Sequence, residues 1–189
     1  TDTWLMNIGE YAASQGAASV NARTYFCAKE GVAADLHAHN IALQAWTPND
    51  AEMMQELVAE SDQFVPVPGK TDWFIANKNG AAIAYVIPED TKGYGGTIKM
   101  LVAISPEGKE IDYQILSANE TPGLGDSVAK DEFKKQFHGK TAVAMVVTKD
   151  PANTENIQAI TGATISSRAV TAGVKTAETE VMEYLEAQN

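Results

Sequence analysis

Trp73-Phe74-Ile75-Ala76-Asn77-Lys78-Asn79-Gly80-Ala81-Ala82-Ile83-Ala84-Tyr85-Val86-Ile87 decides the fold. Two runs rich in aromatic and β-branched residues flank Asn79-Gly80, a pair that favours the tight turn of a β-hairpin. The pattern continues downstream. Ile98, Met100, Val102 and Ile104 recur at period two, as do Ile111, Tyr113 and Ile115. Between them Ser105-Pro106-Glu107-Gly108 has the proline and glycine placement of a tight turn. Asp131 to Phe137 reads as a short helix ended by Gly139, and Ala142 to Val147 as a compact, buried strand. From Ile165 onward, Val170, Val174, Val181 and Leu185 fall on one helical face, which predicts a C-terminal amphipathic helix. Upstream, Thr47 and Pro48 mark a helix start, and Met53, Met54, Leu57 and Val58 form its apolar stripe. The acidic window Asp50, Glu52, Glu56, Glu60 and Asp62 has no basic residue within it and reads as a solvated face. The sum is an α+β domain: an antiparallel sheet with hairpins, about five strands, packed against three or four helices.

The domain is expected to span 47–189, preceded by an Ala-rich segment, 1–46, to which no chemistry is assigned. Within that segment Tyr11 to Ala28 is expected to be helical, stopped near Gly31, with Cys27 packed inside it. The chain starts at Thr1 with neither methionine nor signal peptide, as expected of a processed or truncated piece.

Composition excludes several functions. Fourteen basic against twenty-five acidic residues give a net charge of −11, which repels a phosphate backbone and argues against nucleic-acid binding. A single cysteine rules out an internal disulfide, a cysteine-ligated iron–sulfur cluster and a c-type haem attachment. His37 and His39, near Asp35, lack a convincing third ligand, so no metal centre is assigned. His138 falls at a helix end, where its charge suits the dipole. No nucleophile–base pairing stands out.

Chemistry concentrates in three interruptions of the pattern. Gly93-Tyr94-Gly95-Gly96 leads into the Ile98 strand, and Glu120-Thr121-Pro122-Gly123-Leu124-Gly125 follows the Ile111 strand. Each alone reads as a tight turn; each also lets backbone approach a ligand closely. Neither matches a dinucleotide fingerprint or a P-loop. The third is Thr161-Gly162-Ala163-Thr164-Ile165-Ser166-Ser167-Arg168, directly before the last helix. Hydroxyls beside a helix start, where the first N–H groups lack partners, make a ready phosphate site. Thr164 or Ser166 is equally suited to be a plain N-cap.

The run from Ile160 to Ser167 resembles the flavinylation motif of FMN-binding domains. These domains occur as the G component of Rnf ion-translocating oxidoreductases and the C component of the sodium-pumping NADH:quinone oxidoreductase. The order of Tyr94-Gly95-Gly96, a strand pair, the Glu120–Gly125 loop, a Phe-containing helix and the motif extends this resemblance over about residues 48 to 188. The Rnf component is the nearer of the two. The resemblance implies an extracytoplasmic electron carrier whose FMN is esterified through its phosphate to Thr164. It also implies a pocket drawn from Thr161, Gly162, Ala163, Ser166, Ser167, Tyr94, Gly95, Glu120, Thr121, Gly123, Leu124 and Gly125. In that picture Ser166 and Ser167 add hydrogen bonds to the phosphate, and Tyr94 stacks on the flavin ring. The implied partners are membrane redox subunits of an Rnf-type complex and, for maturation, an FAD-dependent FMN transferase. The protein departs from the pattern at Gln158, where many members carry aspartate, and in lacking the family's N-terminal membrane helix. Those departures keep two alternatives in view: a free-standing extracellular FMN protein or reductase domain, and a binding module without flavin. Ser19-Val20-Asn21 through Glu30-Gly31 also bears a faint likeness to an FMN-contacting helix of nitroreductases.

Overall fold

The computed structural model describes residues 4–7, 25–28 and 48–188. The chain divides into two compact units, Thr1–Glu52 and Met53–Asn189. In the first, strands β1 (Trp4–Asn7) and β2 (Tyr25–Ala28) pair antiparallel, with Leu5 opposite Cys27. This corrects the helix expected over 11–28 at its C-terminal end: Tyr25-Phe26-Cys27 favours an extended, paired backbone more than a helical one. The remainder of that expected helix, Asp35, the His37/His39 pair and the Ser19–Asn21 likeness lie outside the described residues.

Helix α1 (Pro48–Leu57) begins where Thr47 and Pro48 place it. Met54, Leu57 and Val58 are buried, as their stripe predicts. The acidic window is not wholly a free solvated face. Glu60 pairs with Lys78 Nζ at 2.5 Å, and the Asp62 carboxylate accepts the N–H of Asn79 at 2.7 Å. Both partners arrive from the Asn79-Gly80 hairpin rather than from the window.

A five-stranded antiparallel sheet follows in chain order: β3 (Gln63–Pro66), β4 (Phe74–Lys78), β5 (Ala81–Lys92), β6 (Thr97–Ile104) and β7 (Glu110–Ser117). Asn79 and Gly80 form the β4–β5 turn with φ of 51° and 79°, the doubly left-handed geometry that matches strand twist. Ser105 N–H bonds to the Lys109 carbonyl at 2.8 Å and closes the β6–β7 turn. Edge strand β3, only four residues long and ending in proline, carries too little alternation to be read from sequence.

Helix α3 (Thr164–Ala187) packs across β5 and β6. Val170, Val174, Ala177 and Val181 are fully buried against the face formed by Ile87, Ile98, Met100, Val102 and Ile104. Each large aliphatic side chain so buried contributes about 1.5–3 kcal/mol relative to exposure. Leu101 and Ala103, which alternate with the predicted core residues of β6, are fully buried too, so both faces of this strand are covered.

Two expectations between β7 and α3 need correction. The helix read over 131–137 is confined to α2 (Asp131–Lys134), preceded by a 3-10 turn, Gly125–Ala129. Phe133 and Phe137 are nonetheless both buried; the ring of Phe137 meets those of Phe133 and Tyr113 edge-on, each at 5.4 Å. The strand expected over Ala142 to Val147 is instead a turn closed by Ala144 N–H to the Thr141 carbonyl, with Val143 and Val146 exposed. Only Met145 of that run is deeply buried. Its last residue joins β8 (Val147–Thr148), which pairs parallel with β9 (Ile157–Gln158). At the start of β7 the Glu110 carboxyl is enclosed, and burial with the neighbouring Asp112 charge pushes it up to about 9 against the pull of Lys134.

Candidate functional site

The three segments singled out in the sequence meet at one side chain, the carboxylate of Glu120. Its Oε1 accepts the N–H of Gly95 at 2.9 Å, and its Oε2 accepts the N–H of Tyr94 at 3.2 Å and the hydroxyl of Ser166. Glu120 therefore ties the loop before β6 and the loop after β7 to the first turn of α3. Burial alone would raise its pKa, but the donated hydrogen bonds from Ser166, Gly95 and Tyr94 outweigh it and hold the carboxyl below its ordinary value.

Backbone approaches this carboxylate closely, and the glycines permit it. A Cβ on Gly125 would stand 2.8 Å from Ser166 Oγ and 2.9 Å from Glu120 Oε2, while one on Gly95 would collide with the Asn119 carbonyl. Gly125→Ala is accordingly expected to force Ser166 off Glu120 and destabilise the fold by about 1–3 kcal/mol, as overpacking does. Urea unfolding measures this; an unchanged midpoint would show that the contact is not tight.

At the third segment, Gly162 turns the chain with φ of 81°, and Leu124 Cδ2 would lie 3.2 Å from a Cβ placed there. Ala163 is the N-cap of α3 and no side chain caps this end. Thr164 is the first helical residue and half-buried, with Thr161 and Gly162 exposed just before it. The N–H groups of a helix's first turn have no acceptor within the helix. This end of a 24-residue helix is thus a donor-rich, electropositive point beside a threonine hydroxyl.

The hydroxyls of Ser166 and Ser167 already have partners within the chain. Both are buried and engaged within the protein: Ser166 donates to Glu120, while Ser167 Oγ donates to the Ala163 carbonyl and accepts the N–H of Ile160 at 3.0 Å. They shape the motif loop, and the backbone N–H groups of the first turn are available beside Thr164. In the Glu120 loop, the Thr121 carbonyl accepts from Leu124 and Asp126, leaving Thr121 and Gly123 exposed at the tip. Each segment also offers solvent one large apolar side chain: Tyr94 at 69% exposure, Leu124 at 43% and Ile165 at 53%.

Gln158 has a structural part. Its amide donates to the carbonyls of Asp150, at 2.7 Å, and Asn153, pinning the turn before β9, a task for which aspartate has no donor. Asn119 was not read from the sequence, because a backbone carbonyl that backs a glycine has no signature in residue type. The convergence on Glu120 was missed for a related reason: its partners lie 25, 26 and 46 residues away.

Residues 93–178 match the model of the FMN-binding domain family. The chain is 51% identical over 144 residues, 76% of its length, to the G component of the proton-translocating ferredoxin:NAD(+) oxidoreductase complex of Clostridium ljungdahlii, covering 78% of that protein. It is 31% identical to the G component of the ion-translocating oxidoreductase complex of Methanosarcina acetivorans, covering 72% of this chain and 75% of the relative. Among solved structures it resembles the C component of the Na(+)-translocating NADH-quinone reductase from Parabacteroides distasonis, with a TM-score of 0.52 and 24% identity, over 62% of this chain and 63% of that one. The corresponding figures for Shewanella oneidensis NqrC are a TM-score of 0.51, 19% identity, 68% and 73%, so both support the fold. With its antiparallel sheet, C-terminal helix and glycine-bounded motif, the chain belongs to the FMN-binding domain family, among the G-component proteins of ion-translocating oxidoreductase complexes.

Proposed function

We propose that this protein is an electron-transfer flavoprotein, the G component of an Rnf-type complex, holding FMN by a phosphoester to Thr164. The observation that carries the proposal is the uncapped start of α3 with Thr164 at its first position, fixed to both glycine loops through Ser166 and Glu120. These residues fit a phosphate-tethered flavin. Backbone N–H groups and the helix dipole stabilise a phosphate charge at Thr164. Arg168, one turn further along the helix and exposed, adds a positive charge near it in a chain of net charge −11. Tyr94, Leu124 and Ile165 offer apolar surface to a flat ring system.

FMN supplies one- and two-electron chemistry that no side chain of this protein provides. The protein's own contribution is to tether, orient and shield it. Glu120 is a clamp for the loops rather than a phosphate ligand, since one anion does not stabilise another. Attachment is assigned to an FAD-dependent FMN transferase. FAD is FMN joined to AMP, so transfer of the FMN phosphate to the Thr164 oxygen releases AMP and the hydroxyl proton. A covalent tether suits a carrier on the extracytoplasmic side, where lost cofactor is diluted away. The redox partners are then membrane subunits of the complex. No helix among the described residues is long and apolar enough to cross a membrane.

The test is intact mass with a visible spectrum after co-expression with an FMN transferase. A gain of one FMN less one water, with yellow colour, supports the reading. An unmodified, colourless protein overturns it and leaves a binding module that keeps the motif as a helix start.

A further inference from the structure

The opposite end of β7 carries a second cluster, unrelated to the flavin motif. Glu110, Asp112 and His138 each turn one potential ligand atom toward the others, all within 4.8 Å. Strand β7 is eight residues long, so about 24 Å of extended backbone separates this cluster from the loop containing Glu120.

The local fold explains why these three meet. Between β6 and β7 the register slips by one residue: Ile104 stands opposite Glu110 and Ala103 opposite Asp112, with Ile111 left out of the pairing. Such a bulge re-aims the side chains on either side of it. The backbone of Glu110 is clamped to the turn after α2, its N–H bonding to the Lys140 carbonyl at 2.9 Å and its carbonyl accepting from Gly139 at 2.8 Å. That clamp brings His138 beside the two carboxylates. Its Nε2 lies 3.5 Å from Asp112 Oδ1.

The cluster has the mark of an incomplete site. Glu110 is 1% exposed, and neither of its carboxylate oxygens has a hydrogen-bond partner. A buried carboxyl with both oxygens unsatisfied is costly and rare in native proteins. Asp112, by contrast, is oriented: its Oδ2 is held by Lys134 Nζ at 2.9 Å, and its Oδ1 accepts the N–H of Tyr113 at 2.8 Å while facing His138. Oδ1 retains a lone pair for a further contact.

We propose that Glu110, Asp112 and His138 form a binding site for a divalent cation of the zinc type, serving to lock the β7 bulge to the turn after α2. Carboxylate oxygens and imidazole nitrogens are both ligand atoms for zinc, and a water would complete four-coordination. Ligand atoms on a tetrahedral zinc stand about 3.4 Å apart given its usual bond lengths. The His138–Asp112 separation already matches that spacing. Glu110 brings a carboxylate oxygen within 4.8 Å of the other two ligand atoms, and half-exposed His138 leaves the entry path open. The cation gives the Glu110 oxygens the partner they lack. Its role is structural, because the length of β7 separates the site from the Glu120 loop that holds Ser166.

The test uses the full chain, stripped with a chelator, and zinc chloride alone as the probe, with magnesium chloride as the control. Calorimetric titration is expected to give one zinc per chain, and the thermal midpoint is expected to rise by several degrees and saturate, since a ligand of the folded state stabilises by mass action. His138→Ala, on the surface, and Glu110→Gln each abolish the rise. If Glu110→Gln does not fold, His138→Ala decides. A midpoint indifferent to zinc, or a rise that survives in His138→Ala and disappears in a His37→Ala/His39→Ala double variant, overturns the proposal. Flavin content does not enter either readout, so this result stands apart from the reading of Thr164.

Discussion

Thr164→Val leaves the fold intact and yields a protein that gains no mass on co-expression with the transferase. Valine is close to threonine in shape and replaces the hydroxyl by a methyl group. Thr164 is the first residue of α3, where its hydroxyl makes no capping bond, and the N-cap is Ala163. The core contacts of the helix begin further along, at Ala169 and Val170. Stability should therefore change by less than about 1 kcal/mol, whereas the covalent increment, one FMN less one water, falls from complete to absent. Thr161→Val, in the exposed turn before the helix, retains attachment. Flavin still covalently bound in Thr164→Val would move the linkage to another hydroxyl, and Thr161 would be the next to replace. Loss of attachment together with a collapsed unfolding transition would instead indicate a structural threonine.

The second large effect is expected at Glu120. Alanine there leaves the Ser166 hydroxyl without its acceptor in a buried place, and the N–H groups of Tyr94 and Gly95 without theirs at a half-buried one. Hydrogen bonds to a charged group contribute about 1.5–3 kcal/mol each, and shared bonds do not add fully. Glu120→Ala should thus cost about 3–5 kcal/mol by urea unfolding and release both loops from α3, with flavin loading falling in parallel. Glu120→Gln keeps one acceptor oxygen but turns an NH2 toward donors, so it recovers only part of the loss.

The pH dependence has a definite sign. The folded carboxyl lies below its ordinary value of 4.5, so its stabilising contribution is fully present above that pH. It is lost as pH falls through the folded value. Wild type and Glu120→Ala should therefore converge in stability in acid and differ most at neutral pH. A constant gap between them across that range would mean that the charge of Glu120 is not what holds the loops.

Several features of this protein follow from sequence alone, because they rest on interactions short in range. Asn79-Gly80 specifies its hairpin turn through the φ values the pair tolerates, and the strands on either side follow. Pro48 starts α1, and the spacing of Val170, Val174 and Val181 sets the buried face of α3. The resemblance of residues 160–167 to a flavinylation motif was legible for the same reason: it is a contiguous string.

Tertiary structure decided the rest. Ala142 to Val147 is as apolar as a buried strand, yet among the described residues a strand pairs with it only at Val147, and it turns and exposes Val143 and Val146. Leu101 and Ala103 read as the outward positions of β6, but a central strand covered on both faces buries them as well. The partners of the Ser166 and Ser167 hydroxyls, Glu120 and Ile160, are brought to them only by the folded chain. Glu110 and His138, 28 residues apart, acquire a shared purpose only through the β7 bulge and the backbone clamp at Gly139 and Lys140. Local stereochemistry writes turns and helix faces into neighbouring residues. Which buried polar group meets which partner depends on contacts across the folded chain, and residue order alone does not encode them in any short pattern.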